Sequence, residues 1–351
     1  MKQFRNTVIR AGLGALYFSG AHVLLRPIFS GVGAIFMLHH VRPGRTGDFQ
    51  PNRHLEVTPD FLRAMLSHLR TQAIDVISMD EVHKRLLERN FSRRFACFTL
   101  DDGYRDNRDF ALPVLREFEA PFTLFVASDF AEGTGHLWWI ALEMAIARAS
   151  SIELSMGGTP TRLDTAGAAA KQAAFERLHD WLRTLPEPDM QREVHALCMR
   201  HGIDDAAICR DLCMSWEELK SFAADPLVRV GAHSVSHCNL AHQSEGKARQ
   251  ELNSSRTRLE RALQRPVLHL AYPYGDRLAA GAREFALARA AGYKTAVTTR
   301  PGMIFPESGQ HLTALPRVSL NGNYQDARIL PVLTSGAATA MWNGFRRVDA
   351  A

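Results

Sequence analysis

Apolar residues along this chain gather into short, strand-length runs, each ending abruptly in a polar or glycine-containing turn. Ala34–Leu38 is the first, and Phe95–Leu100 is the second, closing in Asp101-Asp102-Gly103. Phe122–Ala127, Val228–Ala232, Val267–Ala271, Tyr293–Thr298 and Leu315–Leu320 follow, and most are rich in Val, Ile, Phe or Thr. Helical periodicity fills the gaps. Thr58-Pro59 sets a cap and a first-turn proline ahead of Phe61, Met65, Leu66 and Leu69. Ser78-x-x-Glu81 and Ser215-x-x-Glu218 read as capping boxes. Alternating strand and helix predicts a parallel sheet, and about seven such strands predict an α/β fold closed as a distorted (β/α)7-type barrel.

The rhythm divides the chain into an N-terminal helical segment (1–30), the barrel (31–330) and a C-terminal tail (331–351). From 131 to 214 the sequence is Ala- and Arg-rich with few strand signals, which predicts a helical insertion. Trp138-Trp139 lies within it, more readily a core face of a helix than a sugar platform. Near the start, Lys2, Arg5 and Arg10 precede an apolar stretch from Ala11 to Leu25. That stretch is interrupted by Ser19, Gly20 and His22, is too short to span a bilayer and lacks a small-x-small cleavage site. It predicts an ordered helix packed on the body or lying on a membrane surface, and a cytoplasmic or membrane-peripheral protein.

Composition narrows the function classes. The 351 residues are 46% hydrophobic and 23% charged, an ordinary soluble balance that permits a large core. The net charge of +5 is dispersed rather than clustered, so no nucleic-acid partner is expected. The five cysteines are irregularly spaced, and Cys209-x-x-x-Cys213 has no second pair to complete a zinc site. They read as buried residues of a reducing compartment.

Chemistry concentrates where the strands end. Asp101 and His233 each follow directly on an apolar run, Tyr274 lies just past another, and His39 closes the first. In parallel α/β folds these ends share one face. His233-Ser-Val-Ser-His237 sets two imidazoles where both reach one metal ion, with a carboxylate as third ligand. Adjacent carboxylates at Asp101-Asp102 repel, and a divalent metal on one of them relieves that cost. The other is then free to take a proton from water. Which aspartate does which stays open on these grounds. One carboxylate and two imidazoles suit Zn2+ first, and also Co2+, Ni2+ or Fe2+; a two-metal phosphoesterase would want more ligands.

Three segments carry a resemblance. Phe98-Thr-Leu-Asp-Asp-Gly103, His233-Ser-Val-Ser-His237 and Ala271-Tyr-Pro-Tyr-Gly275 resemble, in order, the T-F-D-D-G, H-[ST]-x-x-H and R-x-P-Y-G (or A-Y-P-Y-G) motifs of the polysaccharide deacetylases. The resemblance implies removal of N-acetyl groups from N-acetylhexosamine units of a polysaccharide, oligosaccharide or glycolipid. It implies Asp101 as general base, Asp102, His233 and His237 as metal ligands, and the Tyr274 amide as an oxyanion donor. Two departures stand out. The arginine that opens the third motif is Ala271; Arg317 is the candidate replacement, and reads equally well as a salt-bridge arginine. The usual late Leu-x-His acid is absent, and His311 lies in a loop without that pattern. Phe36-Met-Leu-His-His-Val41 instead looks like the histidine element of the poly-N-acetylglucosamine deacetylases, which makes His39 the acid and His40 the fallback. The alternative is a carbohydrate-binding barrel of the same superfamily with impaired catalysis.

Overall fold

The computed structural model describes residues 2–347. Seven parallel strands close into a barrel: β1 (Gly33–Leu38), β2 (Phe95–Leu100), β3 (Phe122–Val126), β4 (Val228–Ala232), β5 (His269–Ala271), β6 (Thr295–Pro301) and β7 (Leu315–Ser319). Each pairs with the next, and β7 returns to β1 through Phe36–Val318 and Met37–Ser319. The distorted (β/α)7-type barrel expected from the alternation is the observed fold, with strand ends displaced by up to three residues. Parallel strands buried on both faces need apolar residues at every position, which is why the runs were continuous. Pairing is uneven. β1 and β2 stay in register over six pairs and β3 and β4 over five, but β4 and β5 meet at Leu270–Ala232 alone.

The outer helices start where the sequence caps them. Thr58 accepts from the Phe61 amide, and Phe61, Leu62, Met65, Leu66 and Leu69 turn inward from Pro59–Thr71. Ser215 and Glu218 form a complete capping box. Ser78 makes only the forward bond, to the Glu81 amide, because the Glu81 carboxylate turns to Arg85.

The stretch expected to be all helical is corrected in one respect. Between β3 and β4 lie the helices Trp138–Arg148, Ala168–Leu182, Glu187–Arg200 and Asp205–Leu212, but also an antiparallel hairpin, Ser151–Met156 with Thr159–Asp164. Its turn is Gly157-Gly158, both at positive φ, as a tight two-residue hairpin requires. The insertion has its own apolar core, built on Phe130, Trp138, Trp139, Leu142, Phe175 and Leu178.

The first segment is two helices rather than one: α1 (Lys2–Phe18) and α2 (Ala21–Phe29), bent by 93° at Ser19-Gly20. Gly20 adopts φ 72°, which ends α1. The segment expected as a tail holds the helices Leu330–Ser335 and Ala337–Trp342, which bury Leu330, Val332, Ala337 and Ala340 and pack on α2. Gly336 between them lies so close to the Phe29 carbonyl that any Cβ would collide with it. Met1 and the last four residues of the expected tail lie outside the described residues. All five cysteines are buried thiols.

Candidate active site

The carboxyl ends of the strands form one rim, and the adjacent aspartates after β2 part company there. Asp101 donates its amide to the Leu38 carbonyl of β1. Asp102 then takes φ 75° and Gly103 φ 74°, so the backbone reverses and the two carboxylates face different partners. The same backbone device recurs at Ser234, His237 and Tyr274, all with φ near 60°. Left-handed backbone at non-glycine residues costs free energy and tends to concentrate at functional sites.

Asp102 faces the imidazole pair. Its Oδ1 lies 3.5 Å from His233 Nε2 and 3.4 Å from His237 Nε2, and the three ligand atoms all fall within 4.8 Å of one another. That oxygen is buried without a hydrogen-bond partner among the described residues. Burial first, and then the charge of Asp101, push the Asp102 carboxyl up to about 8. Burial likewise holds both imidazoles below the usual histidine range, His237 far below it. Neutral imidazoles are the form that binds a metal, and a carboxylate so costly to ionise calls for a cation beside it. The donor set therefore fits one divalent ion.

The histidines are held in place for that role. His233 Nδ1 lies 2.7 Å from the Ala271 carbonyl, which only accepts, so Nδ1 carries the proton and Nε2 presents its lone pair. The His237 ring sits among Phe130, Trp139 and Tyr274 at 5.1 to 5.5 Å between centroids. Trp138 Nε1 donates to the Tyr274 hydroxyl. The tryptophan pair of the insertion thus forms a wall of the site.

Asp101 faces the other way. Arg317, projecting inward from β7 and 1% exposed, donates to both of its oxygens at 2.8 Å. The guanidinium is fixed in turn by the Thr298 carbonyl and the Thr99 hydroxyl. Burial pushes the Asp101 carboxyl up, but Arg317, His233 and His39 outweigh it and hold it at about 2. His39 Nε2 stands 3.9 Å from Asp101, with 18% of its side chain open to solvent. Burial, helped by the nearby charges of Arg317 and His233, pushes that imidazole down to about 3 against the pull of Asp101.

The other two histidine candidates lie elsewhere. His40 is buried, its Nδ1 2.6 Å from Asp106 and its ring stacked on Tyr104. His311 is exposed beside Leu312, whose carbonyl bonds Ala296 near the start of β6, at the opposite end of the barrel. The Tyr274 amide donates to no protein acceptor among the described residues, while its carbonyl accepts from Thr299 Oγ1 at 2.6 Å.

Two supporting carboxylates were not singled out from sequence. Asp106 anchors His40 and the Val41 amide. Glu251, 1% exposed, accepts from the Val235 and Ser236 amides and pairs with Lys247, so it shapes the loop between the two histidines. The signal for Glu251 was present: it falls on the buried stripe of Glu245–Leu263, with Ala248, Leu252, Ser255 and Leu259. Glu251→Ala is expected to weaken metal affinity about 10- to 100-fold. Competitive titration against a chromophoric chelator measures it, and unchanged affinity in the folded variant would remove Glu251 from the site's support.

Comparisons with known proteins bear on the fold and the family. No curated protein sequence matches the chain. Solved structures of similar fold include the Streptococcus pyogenes deacetylase PplD in complex with acetate (TM-score 0.55, 18% identity, 83% of this chain and 92% of that one). IcaB from Ammonifex degensii aligns at TM-score 0.53 and 15% identity over 86% of this chain and 97% of its own. A Bacillus cereus polysaccharide deacetylase aligns at TM-score 0.52 and 16% identity, over 85% of this chain and 68% of that one. At these identities the likeness is one of fold. The sequence pattern of the family described as polysaccharide deacetylase matches residues 88–296, more than half of the chain and inclusive of all three motif segments. A match of that extent makes the chain a member of the polysaccharide deacetylase family.

Proposed function

We propose that this protein is a metal-dependent amide hydrolase that removes N-acetyl groups from N-acetylhexosamine units of a polysaccharide, oligosaccharide or glycolipid. The observation that carries the reading is the divergence of the two aspartates, one toward a histidine pair and the other toward a buried arginine and His39. Asp102, His233 and His237 would hold the ion, Zn2+ first and Co2+, Ni2+ or Fe2+ on the same donors. A divalent cation held there would supply Lewis acidity for the acetamide carbonyl and for the attacking water.

The protein's own groups supply the rest. Asp101, kept ionised by Arg317, accepts a proton from the attacking water. The Tyr274 amide donates to the acetamide oxygen as negative charge grows there. His39 is neutral at rest and must gain a proton before it can give one. Asp101 and His39 stand 3.9 Å apart, so the proton taken from water is handed from the carboxylate to the imidazole. His39 then delivers it to the departing nitrogen, leaving acetate and a free amine.

The test is acetate release by the metal-loaded protein from acetylated chitooligosaccharides, peptidoglycan fragments and surface-polysaccharide intermediates. Turnover on one of these classes is expected, abolished by chelation and restored by adding metal back. Folded protein with stoichiometric metal that releases no acetate from any of them would favour the impaired, carbohydrate-binding barrel instead.

A further inference from the structure

Twelve large apolar side chains are exposed among the described residues, and eight of them lie on α1, α2 and the 337–345 segment. Phe18 and Leu24 are 73% and 78% exposed, and Val23, Ile28, Trp342 and Phe345 each half or more. These elements form one surface. α1 and α2 pack on each other and on Ala337–Trp342, and the Phe29 ring lies 5.6 Å from Phe345. An apolar concentration of this kind on an otherwise ordinary surface marks an interaction site.

Charge selects the partner. Residues 1–29 and 336–347 contain no Asp or Glu, while Arg5, Arg10, Arg26, Arg346 and Arg347 are exposed there. A second copy docking about a twofold axis would set this basic, acid-free surface against itself. An anionic bilayer complements both the arginines and the apolar side chains. No single helix is long and apolar enough to cross a membrane, and the 93° bend divides the pair into pieces of 17 and 9 residues. An interface plane accommodates two such pieces side by side.

The surface also reaches toward the third motif. A cavity of about 530 Å³ separates Trp342 and Arg346 from Arg277 and Leu278. Thr299 lines it too, and Thr299 bonds the Tyr274 and Gly275 carbonyls of the third motif. Asp276, the acidic residue at this wall, is already paired with Arg183.

We propose that α1, α2 and the 337–345 segment form a docking surface for an anionic lipid bilayer. The apolar side chains enter the boundary between headgroups and acyl chains, and Arg346 takes a headgroup phosphate at its border with the third motif. The inference does not depend on the proposed deacetylation.

Flotation of the full chain with vesicles tests it, comparing pure phosphatidylcholine with phosphatidylcholine containing about one third phosphatidylglycerol. The protein is expected to float with the anionic vesicles and to be released as salt rises from about 0.05 to 0.5 M. Leu24→Glu combined with Trp342→Glu is expected to lower partitioning at least tenfold. Both side chains are largely exposed, so the melting temperature should stay unchanged, and a folded Arg26→Glu/Arg346→Glu variant provides an independent second test. Leu87→Glu, an exposed apolar position elsewhere, should bind as the parent does. Failure of the parent chain to float, equal binding by the double variants, or a concentration-dependent dimer that the variants abolish would each overturn the proposal.

Discussion

Asp101→Asn is expected to lower kcat by about three orders of magnitude while leaving one equivalent of metal bound. The asparagine cannot take a proton from water, yet the three candidate ligands on Asp102, His233 and His237 are untouched. The substitution also sets an amide NH2 against one of the two Arg317 donors, so turnover is to be compared on protein shown to be folded. His237→Ala makes the contrast, because it should lose both metal and turnover. Elemental analysis separates the two roles. Metal retained in His237→Ala would sink the proposed metal site, and kcat within about tenfold of the parent in Asp101→Asn would remove that residue as the base.

Arg317→Met carries the largest expected effect on stability, about 3–5 kcal/mol, because it leaves a fully buried carboxylate unpaired. The sign with pH follows from the direction of the shift. In the parent the folded Asp101 carboxyl lies at about 2, below its unfolded value, so its contribution is present above the unfolded value and is lost as pH falls through about 2. Without the guanidinium, burial dominates and the folded carboxyl rises above its unfolded value. The stability gap between parent and variant should therefore be widest near neutral pH, narrow in acid and close only as pH falls through about 2. The acid limb of kcat should move to higher pH in parallel. Arg317→Lys supplies charge without the two-pronged geometry and should recover only part of either effect. Denaturant melts across pH decide it; a gap that does not narrow in acid would separate Arg317 from the ionisation of Asp101.

How much of this was readable in the chain varied with how local each signal is. Strand positions and the polar groups at their ends were legible because a parallel barrel demands unbroken apolar runs and then releases the chain at one rim. The hairpin was missed although Ser-Ile-Glu-Leu-Ser-Met and Gly157-Gly158 spell it, because Ala-rich helices on both sides dominate that window. Arg317 could not be told from a surface arginine, since its partner Asp101 is 216 residues away and only barrel closure joins them. His39 and His40 are adjacent and chemically alike. Asp106, itself unremarkable in sequence, is what binds His40 and so separates the two. That Asp101 and Asp102 face different partners rests on a left-handed residue that no residue pattern announces.

The single registered pair between β4 and β5 has a consequence for how this site is probed. The bond from His233 to the Ala271 carbonyl crosses that same gap, so the imidazole works as a side-chain stitch where the backbone ladder is thinnest. Substituting His233 removes a candidate metal ligand and loosens the barrel wall together, and a lost ion would then report on either event. His237, in the loop beyond the strand, is the cleaner lesion. Because the stitch is made to a main-chain oxygen, it places no demand on the side chain at 271, which leaves an alanine there free of any part in holding the wall shut.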